Sequence, residues 1–313
     1  MVPGTIYFQT LIMKYITNKT STLILIVLMT FITESILAQK ESLRHQIDLV
    51  CKSAKGKVGF AVLGLEDKDT MTYNGKVRFP MQSVYKFPLA MAILDQVDKG
   101  KFTLNQKIHI TKKDLLPNII SPLKDLYPNG NVDIPLSELL SYTVSKSDGN
   151  GCDILFRMAG RTGKVDNYIH RLGVKEISIV ATEEQMHKEW NVQYQNACEP
   201  IAMTHLMEML FQRKVLSGSS SAFLLKIMTE TTTGPNRIKG LLPKGTIVAH
   251  KTGTSDTNKL GVTAATNDVG IVTLPNGKHF AIAVFVGDSK DNQDVREKVI
   301  AKITKAVWDY YTL

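Results

Sequence analysis

The sequence predicts an α/β (α+β) fold: an antiparallel sheet with flanking helices, assembled from both ends of the chain, and an all-helical lobe inserted between them. Three observations carry this. Two β-rich runs near the C-terminus are joined by a turn, two shorter β-rich runs follow an N-terminal amphipathic stretch, and the long middle segment repeats its apolar residues at helical spacing.

In chain order, residues 41–53 place Leu43, Ile47, Val50 and Cys51 on one helical face. Lys57 to Leu65 and Thr70 to Tyr73 then read as strands. From Ser83 to about Thr229 the pattern is mostly helical, with segments expected at Leu136 to Ser145, Cys152 to Met158, Lys164 to Arg171 and Pro200 to Gln212. Leu260 to Leu274 and His279 to Val286 are β-rich again. They are joined through Pro275-Asn276-Gly277-Lys278, and Asn-Gly is a hairpin signal because both residues tolerate positive φ. An amphipathic helix from Asp294 to Tyr311 closes the chain, with Val295, Val299, Ile303, Val307 and Tyr310 in register. The domains expected are a discontinuous sheet lobe, 39–82 and 230–313, around a helical lobe, 83–229.

A chain of 313 residues with 43% hydrophobic and 21% charged residues, and no internal repeat, suits one large domain or two intimate ones. Residues 1–38 differ. Lys14 and Lys19 precede Leu23-Ile24-Leu25-Ile26-Val27-Leu28-Met29, and Ser35-Ile36-Leu37-Ala38 stands before Gln39. That is the pattern of a secretory signal peptide cleaved near Ala38, too short for a membrane span. Gln39 is not a cysteine, so no lipid attachment is expected, and the product should be free in the periplasm. Met1 to Ile12 adds no charge ahead of the basic region, which points to Met13 as the start.

The net charge is +9, but the lysines are dispersed, so neither nucleic acid nor a membrane surface is an expected partner. Cys51, Cys152 and Cys198 form no Cys-x-x-Cys or Cys/His cluster, and neither a metal nor a cofactor is expected. Buried thiols are the default reading, with one disulfide left open.

The chemistry is concentrated in short motifs. Ser83 and Lys86 form a Ser-x-x-Lys pair at the expected start of a helix, one turn apart and so on one face. A serine hydroxyl needs a neighbouring base, and an amine whose pKa is lowered by burial and the helix N-terminal field can serve. Ser121-Pro122-Leu123-Lys124 fits the same two letters, so company must decide. Behind Ser83 come Ser147-Asp148-Gly149, read as a turn presenting a second hydroxyl, and Lys251-Thr252-Gly253-Thr254-Ser255, read as a strand edge offering a cation, a hydroxyl and a glycine that lets substrate approach the backbone. Alone, each is an ordinary polar turn or loop. Their order behind Ser83 is the signal.

With these motifs the chain resembles the class A serine β-lactamases from about Glu41 to Tyr311, in the serine β-lactamase/penicillin-binding-protein-like fold. Longer strings resemble the extended-spectrum branch that contains the VEB and PER enzymes: Phe79-Pro80-Met81-Gln82-Ser83, Glu183-Glu184-Gln185-Met186-His187, Gln193-Tyr194-Gln195-Asn196, Thr231-Thr232-Thr233-Gly234 and Ala249-His250-Lys251-Thr252-Gly253. The resemblance implies hydrolysis of penicillins and cephalosporins, oxyimino-cephalosporins included, through a serine acyl-enzyme, conferring antibiotic resistance. A β-lactam is the implied partner and a monomer the implied state.

The resemblance also implies roles. Ser83 is the nucleophile, Lys86 accepts or relays its proton, and Ser147 protonates the leaving nitrogen. Backbone N–H groups of Ser83 and Thr254 hold the oxyanion. Lys251 and Thr252 bind the substrate carboxylate, with Ser255 on the strand edge and Arg237 sending its guanidinium behind Lys251. Glu183 activates water against the acyl-enzyme from an Ω loop, with Glu184 its competitor and His187 beside that water. Ala181 and Asn196 replace the Arg–Asp pair that pins this loop in most of the class, so another hydrogen-bond pattern must hold it. Gly149 replaces the amide of the usual Ser-Asp-Asn, removing a hydrogen bond and some bulk. Gln82 and Ser255 stand where some carbapenem-hydrolysing relatives carry a disulfide, which is impossible here. A D-alanyl-D-alanine carboxypeptidase or other penicillin-binding protein is the alternative, which the Glu183 loop opposes. A non-catalytic β-lactam sensor is the third reading.

Overall fold

The computed structural model describes residues 37–313, so the expected export segment lies outside the described residues apart from Leu37 and Ala38. Residues 37–53 are helical (α1), and Ile47–Leu313 forms one compact unit. In chain order β1 (Lys57–Gly64), β2 (Thr70–Tyr73) and β3 (Phe79–Pro80) lead through a 3₁₀ turn, Gln82–Tyr85, into α2 (Lys86–Asp98). There follow β4 (Lys107–Ile110), α3 (Pro122–Leu126), β5 (Val132–Pro135), α4 (Leu136–Ser145), α5 (Gly149–Ala159) and α6 (Thr162–Arg171). Next are β6 (Ile177–Ser178), α7 (Glu183–Lys188), β7 (Ala197–Cys198), α8 (Pro200–Phe211) and α9 (Gly218–Thr229). β8 (Val248–Thr254), β9 (Thr263–Thr273), β10 (His279–Ser289) and α10 (Gln293–Thr312) complete the chain.

The main sheet runs β2-β1-β10-β9-β8, antiparallel throughout. β1, β9 and β10 are almost continuously buried rather than alternating, because both faces of the sheet are covered; α8 and α10 each pack on β9 and β10. The Asn276-Gly277 turn forms as expected: Gly277 has φ +79° and Leu274 N donates to Lys278 O at 2.8 Å. Asn292 caps α10 through Val295 N, which leaves Val295 exposed at the first turn rather than on the buried face expected for it.

The stretch 83–229 is rich in helix but also carries β4 to β7. β4 pairs with β5, and β7 stands between β3 and β6. Strands of two to four residues are too short to display a period-two pattern. Buried side chains from both expected lobes form one contiguous core, in which α2 is enclosed on nearly every side from Lys86 to Leu94. The 3₁₀ turn at the head of α2 packs against the edge strand β8, and there the site lies.

Candidate active site

Ser83 sits in the 3₁₀ turn, with Lys86 the first residue of α2. The turn is strained: Gln82 has φ +48°, a conformation costing a non-glycine residue on the order of 1 kcal/mol or more. Its neighbours hold it there. Asn267 Nδ2 donates to Pro80 O (2.8 Å) and Met81 O (3.1 Å), Met81 N donates to Asn196 O (2.8 Å), and Gln82 Nε2 donates to Gln193 Oε1 (2.5 Å). Gly253 permits the approach of β8, since a Cβ on it would stand 2.3 Å from Met81 O. The glycine of Lys-Thr-Gly, expected to admit substrate, instead admits the turn that bears Ser83.

The Lys86 ammonium is the hub. Nζ donates to Ser83 Oγ (2.9 Å) and Ser147 O (2.8 Å), and stands 2.8 Å from Glu183 Oε1. Oε1 is buried and accepts no well-directed hydrogen bond, so the contact with Lys86 is chiefly electrostatic. The sequence led to a lysine with lowered pKa. Burial presses it downward and is the largest single influence, but the Glu183 carboxylate, with further help from Asp148 and other neighbours, tips the net shift upward. Burial, the largest influence, likewise raises Glu183, and the Lys86 charge and contact, together with His187 and Tyr85, reverse this, leaving the carboxyl below its ordinary value. Lys86 and Glu183 are therefore an ion pair.

Ser147 follows α4 with φ +58° and aims its hydroxyl at Lys251 Nζ, 2.9 Å away. The turn is fixed by fully buried Asp148, which accepts from Ser121 Oγ (2.9 Å), Leu123 N (2.6 Å) and Gly151 N (2.7 Å). The Ser121-x-x-Lys124 pair serves structure instead: Ser121 Oγ caps α3 by accepting Lys124 N (3.1 Å), while the Lys124 ammonium donates to Pro117 O and Ile119 O, so the two side chains do not meet. Gly149 is not open space. A Cβ there would stand 2.3 Å from Ile119 Cγ2, and Asn150 turns away to bond both backbone groups of Leu116.

On β8, Lys251 is fully buried and also donates to Thr252 O at 2.9 Å. Burial, then the charge of Lys86, drives its pKa well below the ordinary lysine value. Arg237 is not a solvated loop residue. Its guanidinium pairs with Glu297 Oε1 (3.1 Å) and donates to Gly253 O (3.1 Å), Asn267 O (2.9 Å) and Thr254 Oγ1 (2.7 Å). It braces the back of β8.

α7 carries Glu183. A capping box of Thr182 and Gln185 starts it, and the buried Asp153 carboxylate accepts Glu183 N (2.8 Å) and Glu184 N (2.9 Å). Burial raises Asp153 to about 6. The missing ion pair of the Ω loop is replaced by fully buried Asn196, whose Oδ1 accepts Val180 N (2.7 Å) and Ala181 N (2.9 Å) while Nδ2 donates to Ala181 O (2.8 Å). Glu184 points to Lys188 on the outer face, away from Lys86.

The resulting cleft, about 510 Å³, is lined by Ser83, Lys86, Ser147, Glu183, His187, Thr252, Thr254 and Ser255. Lys251, Gly253, Gly149 and Arg237 stand behind this wall. Asn118, Ile120, Lys146, Trp190 and Asp256 also line it, and sequence reasoning found none of them: Lys146 and Asp256 flank motifs whose fixed letters exclude them, and the others lie in segments with no motif.

Residues 42–311 match the β-lactamase enzyme family. The chain belongs to that family, in class A. It is 49% identical to β-lactamase VEB-1 of Pseudomonas aeruginosa over 88% of this chain and 92% of the relative. It is 42% identical to extended-spectrum β-lactamase PER-1 of the same organism, over 93% of each. Among solved structures it is similar to the TLA-1 extended-spectrum β-lactamase, with TM-score 0.86 and 57% identity over 87% of this chain and 99% of that one. A β-lactamase from Chitinophaga pinensis gives TM-score 0.85 and 55% identity over 86% and 99%. As a class A β-lactamase the chain acts on the β-lactam amide. Among the described residues no helix is long and apolar enough to cross a membrane, and the three cysteines are buried and unpaired.

Proposed function

We propose that this β-lactamase works through an acyl-enzyme on Ser83, with Glu183 as the resident base. The observation that carries the proposal is Lys86 Nζ lying 2.9 Å from Ser83 Oγ and 2.8 Å from Glu183 Oε1. A charged Lys86 takes the serine proton only after passing its own to Glu183, and the pair allows that transfer. Ser83 Oγ attacks the lactam carbonyl, and the oxyanion forms against the backbone N–H groups of Ser83 and Thr254, each such donor being worth roughly 3 kcal/mol. The Ser147 hydroxyl gives its proton to the departing nitrogen and regains one from Lys251, which it contacts directly. Glu183 becomes a carboxylate again by handing its proton back to Lys86 as Lys86 passes the serine proton on, through solvent in the cleft, to Lys251, and it then draws a proton from the water that attacks the ester. Oε1 is the buried acceptor suited to that water, with His187 on the same wall.

Lys251 gains a counter-charge when a substrate carboxylate reaches Thr252 and Thr254, which restores the ammonium that burial disfavours. β8 is an edge strand, so its outer backbone groups can pair with the substrate amide as a further strand would.

Oxyimino-cephalosporins belong to the proposed range, with carbapenems turned over weakly. Thr254 and Ser255 keep the β8 edge small, and PER-1 and TLA-1 are named extended-spectrum enzymes. A resistance role, export to the periplasm and a monomeric state complete the reading.

Turnover of a chromogenic cephalosporin by purified protein, with intact-mass detection of the acyl-enzyme, tests the mechanism. Rapid turnover with a trapped adduct in Glu183→Gln supports it, whereas a long-lived adduct in the wild type would indicate a penicillin-binding protein or a sensor. Steady-state kinetics with ceftazidime and cefotaxime test the range.

A further inference from the structure

Helix α7 separates two cavities. Glu183, Met186 and His187 face the Ser83 cleft, while Thr182, Glu184, Gln185 and Lys188 face a second cavity of about 580 Å³, and the two walls share no residue. Volumes of roughly 300–1,000 Å³ are those that hold small-molecule ligands, and the second cavity falls within that range. Its apolar surface is offered by Leu116 and Val180, with Phe156 buried behind them against Tyr85. Asp153 also lines it, holding the first two N–H groups of α7.

The charges of the cavity are unequal in their commitments. Arg157 is paired with Asp114, and Lys188 with Glu184. Lys113 and Arg161, both exposed, have no hydrogen-bond or ion-pair partner of their side chains among the described residues. Arg161 stands directly after the Gly160 cap of α5 with φ +74°, a conformation that L-residues hold only at a cost. Two uncommitted cations beside an apolar wall suit an anion with an apolar body.

We propose that this cavity is a regulatory site for a small organic anion, seated on Leu116 and Val180 and bound by Lys113 and Arg161, whose occupancy lowers turnover in the neighbouring cleft. The proposal rests on Glu183 as the base. The coupling is electrostatic: a negative charge brought beside Asp153 disfavours the carboxylate that clamps Glu183 N and Glu184 N. A weakened clamp misplaces Glu183 while leaving Ser83, Lys251 and Thr254 untouched, so kcat falls and KM does not rise.

The test uses 1-naphthyl phosphate as the probe in steady-state hydrolysis of a chromogenic cephalosporin, with wild type and a Lys113→Ala/Arg161→Ala double variant. Saturating probe should lower the wild-type kcat about fivefold, the low end of allosteric couplings, with KM nearly unchanged. The double variant, altered only at exposed side chains, should turn over normally and lose the effect. A rise in KM alone would place the probe on the Lys251 subsite and overturn the proposal. Equal inhibition of the double variant, or no change in kcat, would overturn it too. Should the wild type fail to hydrolyse the cephalosporin, the acyl-enzyme reading falls; calorimetric titration of the probe into wild type and double variant then decides the cavity, equal heats refuting it.

Discussion

Ile119 Cγ2 lies 2.3 Å from the point where a Cβ would stand on Gly149, so the space of the missing amide is filled by a hydrocarbon side chain. Gly149 N donates to Ile120 O at 3.0 Å, which fastens the same loop to the Ser147 turn. The departure from Ser-Asp-Asn is thus a repacked wall rather than a widened cleft.

Gly149→Asn should therefore destabilise the fold by about 1–3 kcal/mol, the usual cost of forcing atoms into a packed interior. Urea denaturation measures this. Ile119→Ala combined with Gly149→Asn should recover much of the loss, because the clash is with that one side chain. Wild-type stability in the single variant would show that the Ile119 loop gives way freely.

Ser83→Ala should reduce hydrolysis by at least about a thousandfold, as loss of a nucleophile does in other serine hydrolases. Ser121→Ala should separate stability from chemistry: it loses a helix cap and a bond to buried Asp148, costing about 1–2 kcal/mol, yet it leaves Ser83 and Lys86 in place. Comparable loss of activity in both variants at a temperature where both are folded would sink the assignment.

Glu183→Gln should still be acylated, because without the carboxylate burial favours a neutral Lys86 amine that can take the serine proton directly, and it should accumulate the adduct, seen as a stable mass increase. Glu184→Gln should not, since that side chain pairs with Lys188 at 2.7 Å on the outer face of α7. Accumulation in the Glu184 variant instead would move the base by one residue.

Much of this was legible in the sequence where periodicity or a motif is local. α4 runs from Leu136 to Ser145 as its spacing predicts, and the Asn276-Gly277 turn fixes the pairing of β9 with β10. Ser83, Lys86, Ser147 and Thr252 were found by motif and Glu183 by family resemblance, and all five line one cleft. What stayed hidden is tertiary. Asp153 reads as one more polar residue on α5 until α7 brings two N–H groups to it. Gln193 and Trp190 acquire meaning only when the Ω loop lies beside Gln82. The pKa of Lys86 was read in the wrong direction because burial is legible in an apolar helix, whereas the carboxylate that opposes it comes from nearly a hundred residues away.

The pH dependence follows from the same charges. Lys251 is held well below the ordinary lysine value by burial and then by the positive charge of Lys86, so in the free enzyme its ammonium is lost as pH rises through that lowered value. Attraction for the substrate carboxylate goes with it, and kcat/KM, which reports the free enzyme, should fall on the alkaline side well before pH 10.5. A bound carboxylate favours the charged amine, so kcat should hold to a higher pH than kcat/KM. On the acid side, burial raises Glu183, but Lys86 with His187 and Tyr85 more than offsets it and keeps the carboxyl ionised below the usual value of 4.5, so the acid limb should lie lower still. Profiles of both parameters with a pH-insensitive chromogenic cephalosporin check these signs. Coincident alkaline limbs for kcat and kcat/KM would show that Lys251 does not titrate against the substrate, and the carboxylate would then have to be bound elsewhere.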